Sequence, residues 1–192
     1  MAGKQAKLMT PNQVRSALRR VNRESRYPIR DRAILLLSLK AGLRAGEIAN
    51  LTWPMLLEAD GRVGDWLELH DIAAKKRSAR VIPLHPLLKV ALVRLRSEAG
   101  PGNHVIESER GERLRASSVV NWFARLYGDL GLTGCSSHSG RRTFITRAAR
   151  LVFKVGGSLR DVQQLAGHSS IDQTQAYIEG DSRAKRRLVE LL

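Results

Sequence analysis

The sequence predicts a mainly α-helical protein with one small antiparallel β-sheet, an α+β fold. Its 192 residues, 43% of them hydrophobic, are enough for one sizeable core and argue against several independent domains. Apolar residues recur at helical spacing along most of the chain, and glycine, proline or small polar residues separate these runs. One pair of neighbouring segments has the composition of a β-hairpin. We therefore expect a single compact unit.

The first half of the chain is expected to hold four helices and the hairpin. Residues 1–10 are polar and basic and are predicted to form a flexible tail, after which Pro11 opens a helix through about Arg23. Asp31 caps or opens a second helix, which is apolar nearly all round, should lie centrally in the core and ends at Gly42. The remaining predicted elements are a short helix over 45–51, paired strands over 66–69 and 79–84 with a lysine-rich connection, a helix over 86–98 and a short strand over 104–106.

The second half is predicted to be helical. Its expected helices cover about 117–130, 139–154, 158–166, 171–178 and 183–192. The last of them is amphipathic, with an apolar cluster made of Leu188, Val189, Leu191 and Leu192. A helix of this kind commonly folds back on its own core.

The charge of the chain points to a polyanionic partner. Lys and Arg outnumber Asp and Glu by 33 to 18, which gives a formal net charge of +15. Nucleic acid is the leading candidate, although a ribosomal protein or a solvated basic surface has the same charge excess. The single cysteine, Cys135, excludes an internal disulfide and fits a reducing compartment, so we expect a cytoplasmic protein. The longest apolar stretch, 33–39, is too short to cross a membrane.

Two short patterns near the carboxyl end could carry chemistry. His138 and Arg141, three residues apart near a helix start, share one helix face. His168 lies at a helix end, and Tyr177 follows it by nine residues. Each pattern alone is typical of a solvated basic helix or a half-buried core tyrosine. With an ordinary phenol pKa of about 10, Tyr177 needs neighbours that stabilise its phenolate or take its proton before it can act as a nucleophile.

Cationic neighbours are available earlier in the sequence. Arg44 sits at a predicted helix start, where main-chain amides also favour an anion, or it forms a surface pair with Glu47. Lys75 and Lys76 lie on the hairpin connection, where a flexible ammonium either reaches into a cleft or stays in solvent. None of these residues identifies a site by itself.

Taken together, these fragments resemble the tyrosine recombinases, also called phage-type integrases. The segment 42–53, GLRAGEIANLTW, resembles the first-arginine box of that family, and Lys75, eight residues before Pro83, resembles its hairpin lysine. The His138 to Arg141 spacing with the following Thr-Phe pair resembles the second-arginine box, and 167–177 resembles the terminal tyrosine box. The order and spacing of the elements make the resemblance specific. It covers roughly residues 10–180, and it implies a catalytic domain over 11–180 with the catalytic-domain fold of this family.

The resemblance implies an enzyme that cuts and rejoins double-stranded DNA as a site-specific recombinase, with no metal, no other cofactor, no ATP and no small-molecule substrate. Arg44 and Arg141 would hold the nonbridging oxygens of the scissile phosphate, and His168 would donate a further hydrogen bond. Tyr177 would become joined to the 3′ phosphate, and a 5′ hydroxyl of another duplex could reverse the step.

The remaining family roles concern protons and orientation. His138 would accept the proton of Tyr177 or bind a nonbridging oxygen, and Lys75 would protonate the leaving 5′ oxygen. Glu47 and Lys76 would be supporting residues, with Glu47 orienting the cationic groups. In the family, a tail such as 181–192 commonly docks on a neighbouring protomer, which implies homo-oligomers on DNA.

Three features depart from the usual family pattern. Only about thirty residues precede the core helix, so we expect no separate amino-terminal core-binding domain. Two alternatives stay open: a naturally short recombinase with the layout of the fimbrial phase-switch invertases, or a catalytic domain of a longer integrase. The stretch from Arg141 to His168 is about one turn longer than usual, and Gly140 replaces an apolar residue.

Three rival functions remain at this stage. A DNA-binding regulator that kept the fold without its chemistry is the first, and a type IB topoisomerase, which shares the phosphotyrosine chemistry, is the second. A generic basic RNA-binding protein is the third, and the ordered motifs argue against it. The DNA target and the choice between integration, excision and inversion have no signature in the sequence.

Overall fold

A computed structural model describes residues 6–70, 79–100, 102–177 and 189–190 of the chain. It confirms a mainly helical fold with one two-stranded antiparallel sheet. The elements are α1 Pro11–Glu24, α2 Pro28–Lys40, α3 Ala45–Asn50, β1 Trp66–Leu69, β2 Arg80–Pro83, α4 Pro86–Ser97, α5 Ala116–Asp129, α6 Ser139–Leu151, α7 Leu159–Ala166 and α8 Ile171–Gln175, with single 3-10 turns at Trp53–Met55 and Val152–Val155.

Helix α2 forms the centre of the core, as its apolar composition predicts. The side chains from Ala33 to Leu37 are completely buried, and α1, α4 and α6 pack around the helix. The helix begins three residues before the predicted start, because Pro28 takes a position in its first turn. Asp31 therefore lies inside the helix, where its buried carboxylate accepts hydrogen bonds from the Ser25 hydroxyl at 2.6 Å and the Trp122 indole at 2.9 Å.

The hairpin has the predicted strands, and one face of it is buried. Leu69 pairs with Arg80 and Leu67 with Ile82, and all four side chains point into the protein. An arginine at an inward-facing strand position needs a buried partner. The connection that carries Lys75 and Lys76 lies outside the described residues.

The predicted strand over 104–106 does not form. His104 makes an isolated bridge with Thr52, and the Val105 N–H donates to the Leu51 carbonyl at 3.0 Å. The pairing cannot continue because the chain enters a 3-10 turn at Trp53, and Pro54 has no N–H to donate.

The carboxyl-terminal half is helical as predicted, but two helices are shorter. Helix α6 ends at Leu151, and the predicted continuation to 154 is a 3-10 turn that Gly156 closes in the left-handed conformation. Helix α8 ends at Gln175, so Tyr177 lies in the turn beyond it. Of the predicted last helix, only residues 189–190 are described. None of the helices in the described ranges is long and apolar enough to span a membrane.

Candidate active site

The candidate site is built around the buried carboxylate of Glu47, whose side chain is 1% exposed. Arg44 lies just before α3, and its backbone N–H donates to Glu47 Oε2 at 2.8 Å, which caps the start of the helix. The Arg44 guanidinium Nη1 donates to Glu47 Oε1, also at 2.8 Å. The sequence also allowed this pairing, as a surface pair; in the structure the Glu47 side chain is buried and the Arg44 side chain is partly exposed.

Arg80 on β2 is the second partner of Glu47, and our sequence reasoning missed it. Its Nη1 and Nη2 donate to the two carboxylate oxygens at 3.0 and 3.1 Å, and its side chain is 4% exposed. Burial raises the pKa of Glu47, but the hydrogen bonds and charges of Arg80 and Arg44 outweigh burial and lower the pKa overall. Glu47 is therefore an anion at neutral pH. Strand alternation could have identified Arg80 from the sequence, because it places position 80 on the same inward face of the strand as Ile82.

Arg141 on α6 joins two loops of the site. Its Nη1 donates to the Gly42 carbonyl at 2.7 Å and its Nη2 to the Ala166 carbonyl at 2.5 Å, and the residue is 3% exposed. Gly42 has a φ of 65°, and a Cβ there would overlap the ring of Phe144. The turn between α2 and α3 therefore approaches α6 closely enough for its carbonyl to anchor Arg141.

The pKa of Arg141 is lowered to about 10. Burial is the largest cause, and the positive charges of Arg44 and Arg80 add to it, whereas Glu47 and Tyr177 act in the opposite direction. Arg141 still carries a full charge at neutral pH. Arg44 and Arg80 share the Glu47 carboxylate and Arg141 lies within electrostatic reach of all three, so the described residues of the site carry an excess of positive charge.

His168 follows α7 at the position where the sequence predicts a site residue. Gly167 closes α7 in the left-handed conformation, and the Gln163 side chain donates to the His168 carbonyl at 3.0 Å. The imidazole Nδ1 lies 2.9 Å from the hydroxyl of the buried Thr174. A 3-10 turn at Val152–Val155 lies in the connection from Arg141, and His168 lies within electrostatic reach of Arg44, Arg80 and Arg141.

The pKa of His168 is lowered to about 4. Its partial burial is the main cause, followed by the positive charges of Arg141, Arg44 and Arg80. The imidazole is therefore neutral at physiological pH.

Tyr177 packs against this histidine. The two rings are stacked with centroids 5.5 Å apart and planes inclined by 22°. Tyr177 is half-buried against a small apolar cluster that includes Ile145 and Val162, and its carbonyl accepts from the Thr146 hydroxyl at 3.5 Å. The structure therefore brings Arg44, Glu47, Arg141, His168 and Tyr177 into one site, although the α2–α3 turn is far in the sequence from α6, α7 and α8.

His138 lies at the edge of the site. It is exposed at the start of α6, one turn before Arg141, and its Nδ1 is 3.5 Å from the Ser137 hydroxyl. Within the described part of the chain its side chain makes no hydrogen bond to Tyr177 or to Arg44, Arg80 or Arg141. Lys75 and Lys76 lie outside the described residues, so their distance from this site stays a prediction.

Residues 7–183 match the model of the phage integrase family. The chain belongs to the phage integrase family. Tyrosine recombinase XerC of Brucella suis biovar 1 is 28% identical over 167 residues, which cover 84% of this chain and 49% of the relative. XerC of Methylobacterium sp. strain 4-46 is 31% identical over 158 residues, or 80% of this chain and 46% of the relative. The chain spans about half the length of these curated relatives.

Solved structures confirm the fold of this integrase-family chain. The integrase of the transposon Tn1549, in complex with a circular intermediate DNA, has a TM-score of 0.76 at 22% identity, and the match covers 100% of this chain and 67% of the integrase. XerA recombinase has a TM-score of 0.75 at 19% identity, covering 96% and 64% of the two chains. The predicted tyrosine recombinase catalytic-domain fold is therefore correct.

Proposed function

We propose that the chain cuts and rejoins double-stranded DNA as a site-specific recombinase, through a 3′-phosphotyrosine at Tyr177. The observation that carries the proposal is the position of Tyr177 beside His168 and within the electrostatic reach of Arg141. A phosphodiester anion would relieve the excess of positive charge at this point. The names of the relatives, tyrosine recombinases and DNA-bound integrases, support the same class of reaction.

The arginines would hold the scissile phosphate. The two carbonyls bound by Arg141 occupy one N–H of Nη1 and one of Nη2, so its other N–H groups can donate to a nonbridging oxygen. Arg44 is anchored to Glu47 at one end, and its side chain is 30% exposed, which leaves donors directed to solvent. Planar guanidiniums suit two oxygens of a phosphate that gains charge in the transition state.

His168 would act as a neutral donor. In the tautomer whose Nδ1 accepts from the Thr174 hydroxyl, the ring hydrogen is on Nε2 and would be donated to a phosphate oxygen. The lowered pKa of His168 fits this role, because an imidazole surrounded by arginines stays uncharged.

The proton transfers complete the step. The Tyr177 oxygen attacks phosphorus, the bond from phosphorus to the 5′ oxygen breaks, and Lys75 protonates that leaving oxygen, with Lys76 in support. His138 accepts the phenol proton or binds a nonbridging oxygen. Since the phosphotyrosine keeps the energy of the broken bond, a 5′ hydroxyl can reverse the reaction without ATP.

The assembly and location belong to the same proposal. Segment 181–192, with its apolar residues at the end of the chain, would dock on a neighbouring protomer and form homo-oligomers on DNA. Residues 11–180 would be the catalytic domain, and the protein would act in the cytoplasm on chromosomal or mobile DNA.

A pool of nicked suicide duplexes, randomised on both sides of the nick, tests the proposal without a known target. Wild-type protein should give a covalent adduct on a denaturing gel, with the DNA mapped to Tyr177 by mass spectrometry. Tyr177→Phe should abolish it. Tyr127→Phe is the matched control, because that hydroxyl is buried without a hydrogen-bond partner among the described residues and its pKa is raised by burial. DNA binding without an adduct would favour a regulator instead, and relaxation of supercoils without recombinant products would favour a topoisomerase.

A further inference from the structure

We infer that Arg80 is a positioning residue for DNA cleavage, which holds Arg44 in place through Glu47 and holds the segment before His168 through Leu165. The inference rests on the proposed function, since it assigns Arg80 a task in that reaction. Arg80 itself is 4% exposed at the side chain, so it acts on the phosphate through other residues.

The first link is the shared carboxylate oxygen. Glu47 Oε1 accepts from Arg44 Nη1 at 2.8 Å and from Arg80 Nη1 at 3.0 Å. Arg80 also binds Oε2 at 3.1 Å, so its planar fork fixes both the place and the plane of the carboxylate. Arg44 is held at its guanidinium by this carboxylate, and the direction of its solvent-facing donors therefore depends on Arg80.

The second link is the end of α7. Arg80 Nε donates to the Leu165 carbonyl at 3.0 Å, and Arg141 donates to the next carbonyl, that of Ala166. Carbonyls in the last turn of a helix lack a helical partner, and a cation stabilises them. A Cβ at Gly167 would lie 2.9 Å from Arg80 Nη1, so the turn that leads to His168 is packed directly against the guanidinium.

A simpler role for Arg80 is neutralisation of the buried Glu47. The two roles make different demands. Neutralisation is no longer needed when both charges are removed together, whereas positioning requires the fork geometry and the bond to Leu165. Arg80→Lys keeps the charge and loses the fork, whereas the double variant Arg80→Gln with Glu47→Gln removes both charges together.

The test uses the full chain and the duplex that gives the highest adduct yield from the randomised pool. Adduct formation is timed at saturating protein, DNA affinity is measured by fluorescence anisotropy, and folding by circular dichroism. Arg80→Lys should lower the cleavage rate about 100-fold, the size of one lost transition-state contact, with less than about a threefold change in Kd. The double variant should melt as a folded protein and still cleave at least about tenfold more slowly than wild type. Arg94→Lys, on an exposed face of α4, is the matched control and should cleave as wild type does.

A second readout asks whether Arg80 acts through Arg44. In an Arg44→Ala background, Arg80→Lys should reduce the rate by much less than its effect in the wild type, because both changes interrupt one chain of contacts. The inference is overturned if the fold-reductions in cleavage rate caused by Arg44→Ala and Arg80→Lys multiply in the double variant. It is also overturned if Arg80→Lys, or the variant that replaces both Arg80 and Glu47, cleaves at the wild-type rate. The proposed function stays intact in each of these cases. Absence of a wild-type adduct overturns both.

Discussion

At the scale of single residues, the candidate site concentrates positive charge, and within the described ranges Glu47 is the acid that Arg44 and Arg80 share. Arg44 and Arg80 bind one carboxylate, Glu47, and Arg141 lies within its electrostatic reach. Burial, followed by the positive charges of these three arginines, lowers the pKa of His168. The site is ordered before any ligand binds, since backbone carbonyls and Glu47 already hold the guanidiniums. Preorganised charge of this kind stabilises developing anionic charge without reorganisation during the reaction.

The histidine gives a pH prediction for stability. The pKa of His168 is about 4 in the folded protein, against an ordinary value of 6.5, so the unfolded chain binds more protons between these values. The free energy of unfolding should therefore fall as the pH is lowered from 6.5 toward 4, and His168→Asn should reduce that fall. Urea unfolding of both proteins across this range measures it, with pH 8, where both side chains are neutral, as the reference. Parallel profiles would contradict the pKa assignment.

Resemblance to the ordered motifs of the family located Arg44, Arg141, His168 and Tyr177, and the structure brings these residues together. The role of Arg80 was not predicted, because its partners Glu47 and Leu165 are 33 and 85 residues away in the sequence and no local pattern connects them. The backbone carbonyls that bind the arginines could not be predicted from the sequence either, because every residue has a carbonyl. Catalytic roles for His138, Lys75 and Lys76 stay predictions.

At the scale of elements, the close contact between α6 and α2 sets the position of Arg141. Gly140 lies immediately before Arg141, and a Cβ there would overlap the Ser38 hydroxyl and lie 2.9 Å from Ser38 Cβ. The departure from the usual apolar residue at this position thus has a packing reason. A larger side chain would push α6 away from α2, and Arg141 would move with it.

Gly140→Ala should lower the free energy of unfolding by about 1–3 kcal/mol, because the added methyl overpacks a buried contact. Gly128→Ala is the matched control within a helix: its Cβ would meet no atom within 4 Å, so alanine should be neutral or stabilising. Chemical denaturation measures both. Pairing Gly140→Ala with Ser38→Gly should recover part of the loss, and equal stability of Gly140→Ala and wild type would show that α6 can shift freely.

Helix and strand interiors were predictable, and their ends were less so. The start of α2 at Pro28 was missed because Asp31 looked like a cap, whereas its carboxylate serves a tertiary network with Ser25 and Trp122. The predicted third strand failed since one bridge at His104 cannot extend beside a 3-10 turn. The ends of helices and strands depend on which segments of the chain contact one another, and short-range sequence patterns do not contain this information.

At the scale of the whole molecule, the fold class was predictable because a single central apolar helix and one hairpin leave few ways to build a core. The formal charge of +15 should dominate the chain's first encounter with DNA. Phosphate contacts are independent of base sequence, so this attraction acts on any duplex.

DNA affinity should therefore fall steeply with salt. If six or more phosphates are contacted, the association constant should drop roughly a thousandfold between about 50 and 200 mM salt, with a linear slope on logarithmic axes. Fluorescence anisotropy titrations measure the slope, and an unrelated duplex is the control, for which a similar slope at lower affinity is expected. A slope near zero would exclude phosphate neutralisation as the source of binding.

The sharing of Glu47 between Arg44 and Arg80 restricts how this chain can change in evolution. Loss of Glu47 would leave two arginines without their common anion, and loss of Arg80 would leave a buried carboxylate with a weaker partner. We therefore expect each single replacement to lower stability, because it leaves a buried charge without its partner. Positions 44, 47 and 80 should vary together among descendants of this gene, and lineages that retain one of the three should retain the others.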